Sequence, residues 1–181
     1  MSLVLGLDVS TSCTGWCISD KDGNFIDMDY VCFKKIGTCL SKADLMKTAL
    51  IEINKNYQIS RIVIEENLQA FRPGLSSAKT LMTLASFNGI VSYICREVFS
   101  IDPEYINVNV ARRLVGLKID RKSNATTKEQ VLEWVKGTIN PSGYSWPTKT
   151  LKSGPRKGMV VAEPGCYDMA DAFVVCTAAC I

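Results

Sequence analysis

The stretch Leu3-Val4-Leu5-Gly6-Leu7-Asp8-Val9 decides how this chain is interpreted, because it places an acidic residue inside an apolar run. The run has the length and composition of a buried β-strand. A carboxylate at the core end of such a strand is costly unless something compensates its charge. A small, polar turn rich in Ser and Thr follows directly. This placement indicates that Asp8 presents its carboxylate toward a cleft at the edge of a sheet.

Three further acidic residues extend the pattern. Glu65 ends a second apolar run, and Asp168 and Asp171 lie three residues apart at the start of the last apolar stretch. This spacing puts the pair on one face of a helix, in its first turn. A carboxylate there is also favoured by the helix dipole, so Asp168 alone has an ordinary explanation. Clustered carboxylates repel one another, and divalent cations neutralise that repulsion. The four together predict a metal site able to hydrolyse phosphodiesters.

The composition narrows the chemistry. The chain has 181 residues, of which 47% are hydrophobic, so we expect a single domain over residues 1–181 with a substantial core. It contains no histidine, which leaves acid–base and metal chemistry mainly to carboxylates. Oxygen-only ligands favour Mg²⁺, or Mn²⁺ in its place. The net charge of +3 does not by itself indicate binding to nucleic acid.

Cysteine usage and hydropathy predict an intracellular protein. The eight cysteines form no C-x-x-C pair, and several lie inside apolar segments, as buried reduced thiols do. A disulfide framework is not expected at this length, and a zinc site would be poorly spaced. No apolar run reaches the roughly 18 residues of a membrane span, and the N-terminus has no signal-peptide pattern. We therefore expect a cytoplasmic location, which would be the host cytoplasm for a viral or phage protein, and no membrane partner.

Hydrophobic periodicity predicts an α/β fold. Strands are predicted at 2–9, 16–19, 25–33, 61–65 and 105–110. Helices are predicted at 41–54, 77–99, 126–137 and 166–181, and Thr126 with Glu129 forms a capping box at the start of the third. Gly137 is predicted to end that helix. Residues 138–165, rich in Pro and Gly, are predicted to form a long loop.

The helix predicted at 77–99 carries two apolar stripes where a surface helix needs one. Its second stripe consists mostly of small residues, Ala78, Met82, Ala85 and Gly89. Two interpretations remain open. The helix is either a central core element, or a core element that also forms a dimer face.

Five strings, in order, resemble the RuvC family of Holliday junction resolvases within the ribonuclease H-like superfamily. They are LGLDVSTSCTGW (5–16), IVIEEN (62–67), SAKTLMTLASFNGIVSYI (77–94), NVARRLVG (109–116) with TKEQV (127–131), and DMADAF (168–173). The resemblance implies a five-stranded mixed sheet flanked by helices. It implies a homodimeric, Mg²⁺-dependent crossover junction endodeoxyribonuclease acting on branched DNA, with no small-molecule substrate. A viral, phage or organellar branch of the family is not decided.

The resemblance also assigns residues. It implies that Asp8, Glu65, Asp168 and Asp171 are the metal-binding and catalytic tetrad. Glu66 ranks second to Glu65, because on an alternating strand it would point the other way, although the register could be off by one.

Basic residues fit a role in DNA binding, and a solvated surface is the alternative explanation. Lys128 and Arg112 sit closest to the family's catalytic basic positions, and Lys128 is expected to act in catalysis. The family places an aromatic residue at the junction centre, for which Phe71 is the nearest candidate. The expected DNA-contacting residues are Phe71, Arg72, Arg112, Arg113, Lys118, Arg121, Lys122 and Lys128.

The segment 138–165 is longer and more basic than its family equivalent. It carries Lys149, Lys152, Arg156 and Lys157. We expect it either to grip a DNA arm, with Tyr144 or Trp146 stacking on a base, or to be a solvated surface loop.

Three other functions remain open. Another ribonuclease H-like nuclease, acting on flaps, branched replication DNA or RNA–DNA hybrids, would use the same tetrad. A sugar-kinase or actin-type fold also has Asp at the end of its first strand, but it needs a second phosphate loop and about twice this length. A non-catalytic DNA-binding protein would not need the tetrad.

Overall fold

A computed structural model describes residues 2–66 and 78–181 of the chain. The strands are β1 Leu3–Val9, β2 Cys13–Asp20, β3 Phe25–Cys32, β4 Ile59–Glu65, β5 Glu104–Ile106, β6 Thr148–Thr150 and β7 Val160–Ala162. The helices are α1 Cys39–Asn56, α2 Ala78–Phe99, α3 Val108–Leu114, α4 Thr127–Ile139 and α5 Gly165–Ala178, and a 3₁₀ turn spans Asn140–Ser142.

Five strands form one mixed sheet in the order β3-β2-β1-β4-β5. The first three strands pair antiparallel, whereas β1 with β4 and β4 with β5 pair parallel. Helices cover both faces, so the predicted five-stranded mixed sheet flanked by helices is confirmed. The short strands β6 and β7 form a separate antiparallel hairpin.

Strand alternation divides β1 between two cores. One core joins the sheet to α1 and α2 and receives the odd-numbered residues Leu3, Leu5, Leu7 and Val9. The other lies under α4 and α5 and receives Val4. Because side chains alternate along a strand, Asp8 shares the α5 face with Val4.

The same alternation orients β4. Ile62 and Ile64 belong to the α1 and α2 core, and Val63 belongs to the α5 core. Glu65 therefore faces α5 as well. Leu7 pairs with Ile64 in parallel register, so the strand ends that carry Asp8 and Glu65 lie side by side.

The outer edge of β3 is closed by hydrogen bonds. The Met28 N–H donates to Asp27 Oδ1 at 2.9 Å, and the Tyr144 hydroxyl donates to the Met28 carbonyl at 2.9 Å. The Tyr30 N–H donates to Asp29 Oδ1 at 2.8 Å. Side chains thus occupy backbone groups that would otherwise face solvent on an edge strand.

Three sequence-based predictions of local structure are wrong. The strand predicted at 105–110 is only β5, because the Asn107 side chain accepts from the Asn109 N–H and starts α3. Gly137 does not end α4, which continues to Ile139, a buried residue. The predicted loop 138–165 contains the 3₁₀ turn and the β6–β7 hairpin.

The eight cysteines are free thiols, and five of them are buried. Within residues 2–66 and 78–181, no helix is long and apolar enough to cross a membrane.

Candidate active site

The four predicted acidic residues converge where β1 and β4 end against the start of α5. A cavity of about 340 Å³ is lined by Asp8, Glu65, Lys128 and Asp168, among others. Asp171, one helical turn further along α5, is 5% exposed and interacts electrostatically with Asp8 and Glu65. Glu66 also lines the cavity, since β4 ends at Glu65 and the alternation of side chains stops there.

Burial and mutual repulsion disfavour the charged forms of Asp8, Glu65 and Asp171. Burial raises the pKa of Asp8 well above its ordinary value, and the charges of Glu65, Asp171 and Asp168 raise it further. Burial and the Asp171 charge raise the pKa of Glu65 to about 7. The pKa of Asp171 is also raised by burial, although Arg112 offsets part of this. A site that disfavours its own negative charge is one that a cation stabilises.

Two basic side chains neutralise part of this charge. Arg112 Nη2 lies 3.0 Å from Asp171 Oδ1, with side chains 17% and 7% exposed. Lys128 Nζ lies 3.2 Å from Asp168 Oδ1, and its side chain is 58% exposed. Burial lowers the pKa of Lys128, but Asp168, Asp8 and Asp171 outweigh that effect and leave it raised. The sequence indicated both basic residues but not which carboxylates they pair with.

The end of α3 positions the Arg112 side chain, and the start of α4 positions the Lys128 side chain. Lys128 is in the first turn of α4, two residues after the Thr126 N-cap, and Thr126 and Glu129 form the predicted capping box. Arg112 lies in the last turn of α3. Its Nε is buried and has no hydrogen-bond partner among the described residues, so the guanidinium is held mainly through Asp171.

The donor set suits a hard divalent cation. Among the described residues, no three acidic or cysteine side chains already form a compact ligand group. One carboxylate oxygen of Asp168 accepts a hydrogen bond from Lys128, and one carboxylate oxygen of Asp171 accepts a hydrogen bond from Arg112. Carboxylate oxygens in a partly buried pocket are the ligands that Mg²⁺ and Mn²⁺ prefer. The four residues therefore fit a metal that would take over part of the neutralisation supplied by Arg112 and Lys128.

Gly15 allows α5 to reach this position. It pairs with Asp8 across β1 and β2. A Cβ built on Gly15 would lie 2.1 Å from the Asp168 carbonyl oxygen. Any larger residue would push the start of α5, and Asp168 with it, away from Asp8. The sequence string contained Gly15 but gave no sign of this contact.

The remaining predicted DNA-contacting residues fall into two groups. Those on α3 and the α3–α4 connection are exposed: Arg113, Lys118, Arg121 and Lys122. Phe71 and Arg72 lie outside the described residues.

Tyr144, one of the two aromatic residues predicted to stack on a base, is held by contacts within the protein. The Tyr144 ring packs 5.5 Å from Phe25 and 5.5 Å from Trp146, and its hydroxyl bonds to β3. Trp146 is half-buried against the α5 core.

The sequence is similar to that of a bacterial nuclease. It is 30% identical over 139 residues to the crossover junction endodeoxyribonuclease RuvC of Aliarcobacter butzleri (strain RM4018), covering 76% of this chain and 83% of that protein. The chain belongs to the RuvC family. No family model matches it. The RuvC family is metal-dependent, in agreement with the carboxylate site.

Solved resolvases share the fold. The structure "T. thermophilus RuvC in complex with Holliday junction substrate" has a TM-score of 0.64 at 13% identity, covering 98% of this chain and 92% of that one. The yeast mitochondrial Holliday junction resolvase Ydc2 has a TM-score of 0.53 at 14% identity, covering 98% and 77%. The expected ribonuclease H-like fold is confirmed by this likeness.

Proposed function

We propose that this RuvC-family chain resolves four-way (Holliday) DNA junctions by paired hydrolysis of phosphodiester bonds. The observation that carries the proposal is that Asp8, Glu65 and Asp168 line one cavity, with the buried Asp171 one helical turn behind Asp168. The pKa values of Asp8, Glu65 and Asp171 are all raised. Membership of the RuvC family supports branched DNA as the substrate.

We propose the four carboxylates as the ligands of Mg²⁺, for which Mn²⁺ can substitute. When bound, a pair of such ions activates water and stabilises the leaving oxygen of a phosphodiester. The Lys128 ammonium is half-exposed at the cavity and can turn from Asp168 to a phosphate oxygen. Arg112 stays buried and positions Asp171.

The exposed basic residues are proposed to hold the DNA backbone. Arg113, Lys118, Arg121 and Lys122 follow α3 and lead to the capped start of α4. Both helices pack against α5, so these residues lie along the side of the site that carries Asp168 and Asp171. Contacts to phosphates position a duplex without reading its sequence. Phe71 and Arg72 stay proposed contacts.

We propose that two copies pair through α2. Its stripe Ala78, Met82, Ala85 and Gly89 is exposed, with Met82 71% exposed. The opposite face, with Phe87, Val91 and Ile94, is buried in the core. Leu84 lines the site cavity, so the proposed dimer face and the site share one element. A two-fold dimer suits a junction, because it can cut two strands at related positions.

The dimer is tested by Gly89→Arg. A Cβ at Gly89 meets nothing within 4 Å, so the monomer tolerates the side chain. Gly137→Arg is the matched control, because Gly137 also lies in a helix, α4, and a Cβ built on it meets no atom within 4 Å. Light scattering should show monomers for Gly89→Arg alone, with cuts at one strand rather than pairs. Dimers of Gly89→Arg, or a monomeric wild type that makes paired cuts, would contradict the proposal.

The nuclease proposal is tested on a synthetic four-way junction with and without Mg²⁺. Asp8→Asn, Glu65→Gln, Asp168→Asn and Asp171→Asn, made singly, should each lower the cleavage rate by at least about a hundredfold, several kcal/mol of barrier. Junction binding should survive in Ca²⁺, since it rests mainly on phosphate contacts. Glu133→Gln, on an exposed carboxylate of α4, is the control, and Glu66→Gln tests which glutamate is the ligand.

The same assay separates the substrate classes. A flap, a linear duplex and an RNA–DNA hybrid of equal length should be cut much more slowly than the junction. Faster cutting of any of them would move the chain to another ribonuclease H-like activity. Tetrad variants that keep more than about a tenth of the wild-type rate would refute the ligand assignment.

We also propose that residues 1–181 act as one nuclease domain and that the protein works in the cytoplasm. Both helical layers pack on the same sheet, which supports the first proposal. The second rests on a DNA substrate and on reduced, mostly buried thiols.

A further inference from the structure

Two cysteines face each other across β2 and β3. Cys13 and Cys32 are register partners in this antiparallel pair. The Phe33 N–H donates to the Ser12 carbonyl at 3.0 Å, which makes Cys13–Cys32 a pair that exchanges no backbone hydrogen bonds of its own. In such pairs the Cα atoms are about 4.5 Å apart, and a disulfide requires about 4.4–6.8 Å. The Cα spacing therefore permits a bond once the two Cβ atoms draw together.

The side chains of Cys13 and Cys32 differ in their exposure to solvent. Cys32 lies on the edge strand and is exposed, whereas Cys13 is 8% exposed. Opposed residues point to the same face of a sheet, so both lie on the face of α5. Cys17 and Cys176 also interact, but both are fully buried and out of reach of a reagent.

Cys13 also touches the site. Its thiol lies against the Asp168 carboxylate, and burial together with this charge raises the pKa of Cys13. Gly15, two residues along the same strand, contacts the Asp168 backbone. A displacement of the start of β2 is therefore transmitted to a proposed metal ligand.

We propose that Cys13 and Cys32 form a reversible redox-modification site, in which a hydroperoxide joins them as a cross-strand disulfide. The Cys32 sulfur attacks the terminal oxygen of the hydroperoxide and the O–O bond breaks. Cys32 becomes a sulfenic acid, and its thiol proton leaves with the other oxygen as an alcohol, or as water when the oxidant is hydrogen peroxide. The Cys13 sulfur then attacks the Cys32 sulfur, the S–O bond breaks, and the hydroxide leaves as water with the Cys13 proton. Two thiols lose two electrons in total, and the hydroperoxide gains them.

The bond should be easily reduced. Opposed Cβ atoms in a strand pair are about 4.5–5.5 Å apart, and a relaxed disulfide holds them at about 3.5–4.5 Å. Closing this gap draws the start of β2 toward β3 and stores strain, and strained disulfides are the labile ones. A thiol reductant at millimolar concentration should therefore restore both thiols.

Hydrogen peroxide is the probe, applied to the full, reduced chain. Intact mass should fall by about 2 Da, the mass of two hydrogen atoms, and two fewer of the eight thiols should alkylate. Fragment masses should place the bond between Cys13 and Cys32. The substitution Cys32→Ser, at an exposed side chain, should abolish the fall in mass, whereas Cys39→Ser should leave that fall unchanged. No mass loss, a bond between other cysteines, or a loss that survives Cys32→Ser would overturn the proposal.

A second readout rests on the proposed function. Because misplacing a catalytic group by about 1 Å can cost a hundredfold in rate, oxidation should slow junction cleavage at least about tenfold. Dithiothreitol should restore it, and Cys32→Ser should be insensitive to peroxide. A mapped disulfide with unaltered cleavage would refute the link to Asp168. A chain that cuts no junction leaves the mass measurement as the deciding test.

Discussion

At the scale of single residues, two glycines decide how closely α5 approaches the sheet. A Cβ on Gly15 would meet the Asp168 backbone at 2.1 Å, and one on Gly6 would meet Cys176 at 2.5 Å. Gly15→Ala and Gly6→Ala should each destabilise the protein by about 1–3 kcal/mol through overpacking. Only Gly15→Ala should also weaken metal binding, by at least about tenfold, because it displaces a ligand.

The measurement is Mn²⁺ titration by calorimetry, alongside thermal unfolding, at matched temperatures below both transitions. It does not depend on nuclease activity. Equal Mn²⁺ affinity in the two variants would show that the Gly15 contact has no part in positioning Asp168.

The raised pKa of Glu65 predicts how the stability of the protein depends on pH. Its folded pKa of about 7 exceeds the ordinary value of 4.5, so the folded protein favours the protonated form. In the absence of metal, stability is therefore lost as pH rises from 4.5 to 7. Glu65→Gln should remove this loss and stabilise the protein at pH 8 by up to about 3 kcal/mol, while changing little near pH 4.5.

Urea unfolding in EDTA at both pH values checks this. Glu133→Gln, on an exposed side chain, should be neutral at both. In Mg²⁺ the sign should reverse, because Glu65→Gln then loses a ligand. A variant that is destabilised at pH 8 in EDTA would show that Glu65 is not strained by its neighbours.

At the scale of elements, the segment from α3 to the start of α4 carries the exposed basic residues. Neutralising Arg113, Lys118, Arg121 and Lys122 together should flatten the dependence of log affinity on log salt by up to about four phosphate contacts. The variant with Lys149, Lys152, Arg156 and Lys157 neutralised has the same change in charge. Its slope should change less, since Lys149 is half-buried and Tyr144 and Trp146 at the base of the hairpin pack on the core.

Fluorescence anisotropy with a labelled junction in Ca²⁺ gives both slopes. Equal slopes for the wild type and the first variant would remove this segment from the DNA-binding surface. A larger change in the second variant would transfer the role to the hairpin.

Sequence reasoning succeeded where a local pattern determines structure. The apolar runs around Asp8 and Glu65 predicted β1 and β4, and Thr126 with Glu129 predicted the start of α4. It failed at 105–110, where alternating Val and Asn imitate a strand and the Asn107 cap decides for a helix. The ion pair between Arg112 and Asp171 joins residues 59 apart, so only the fold reveals it.

At the scale of the molecule, the two faces of the sheet differ in what covers them. The α5 face carries the acidic cluster and the basic residues of α3 and α4, and the other face is covered by α1 and α2. Pairing through α2 would leave the α5 faces of both copies open to DNA. The two sites of such a dimer would then act on the two halves of one branched substrate.

The closed edge of β3 limits how the protein can self-associate. Asp27, Asp29 and Tyr144 occupy the N–H and carbonyl of Met28 and the N–H of Tyr30, three of the backbone groups through which a second chain would add a strand. Growth of the sheet from copy to copy, the route to fibres, is hindered at the centre of that edge. Two copies can therefore meet through the exposed stripe of α2 without joining their sheets edge to edge.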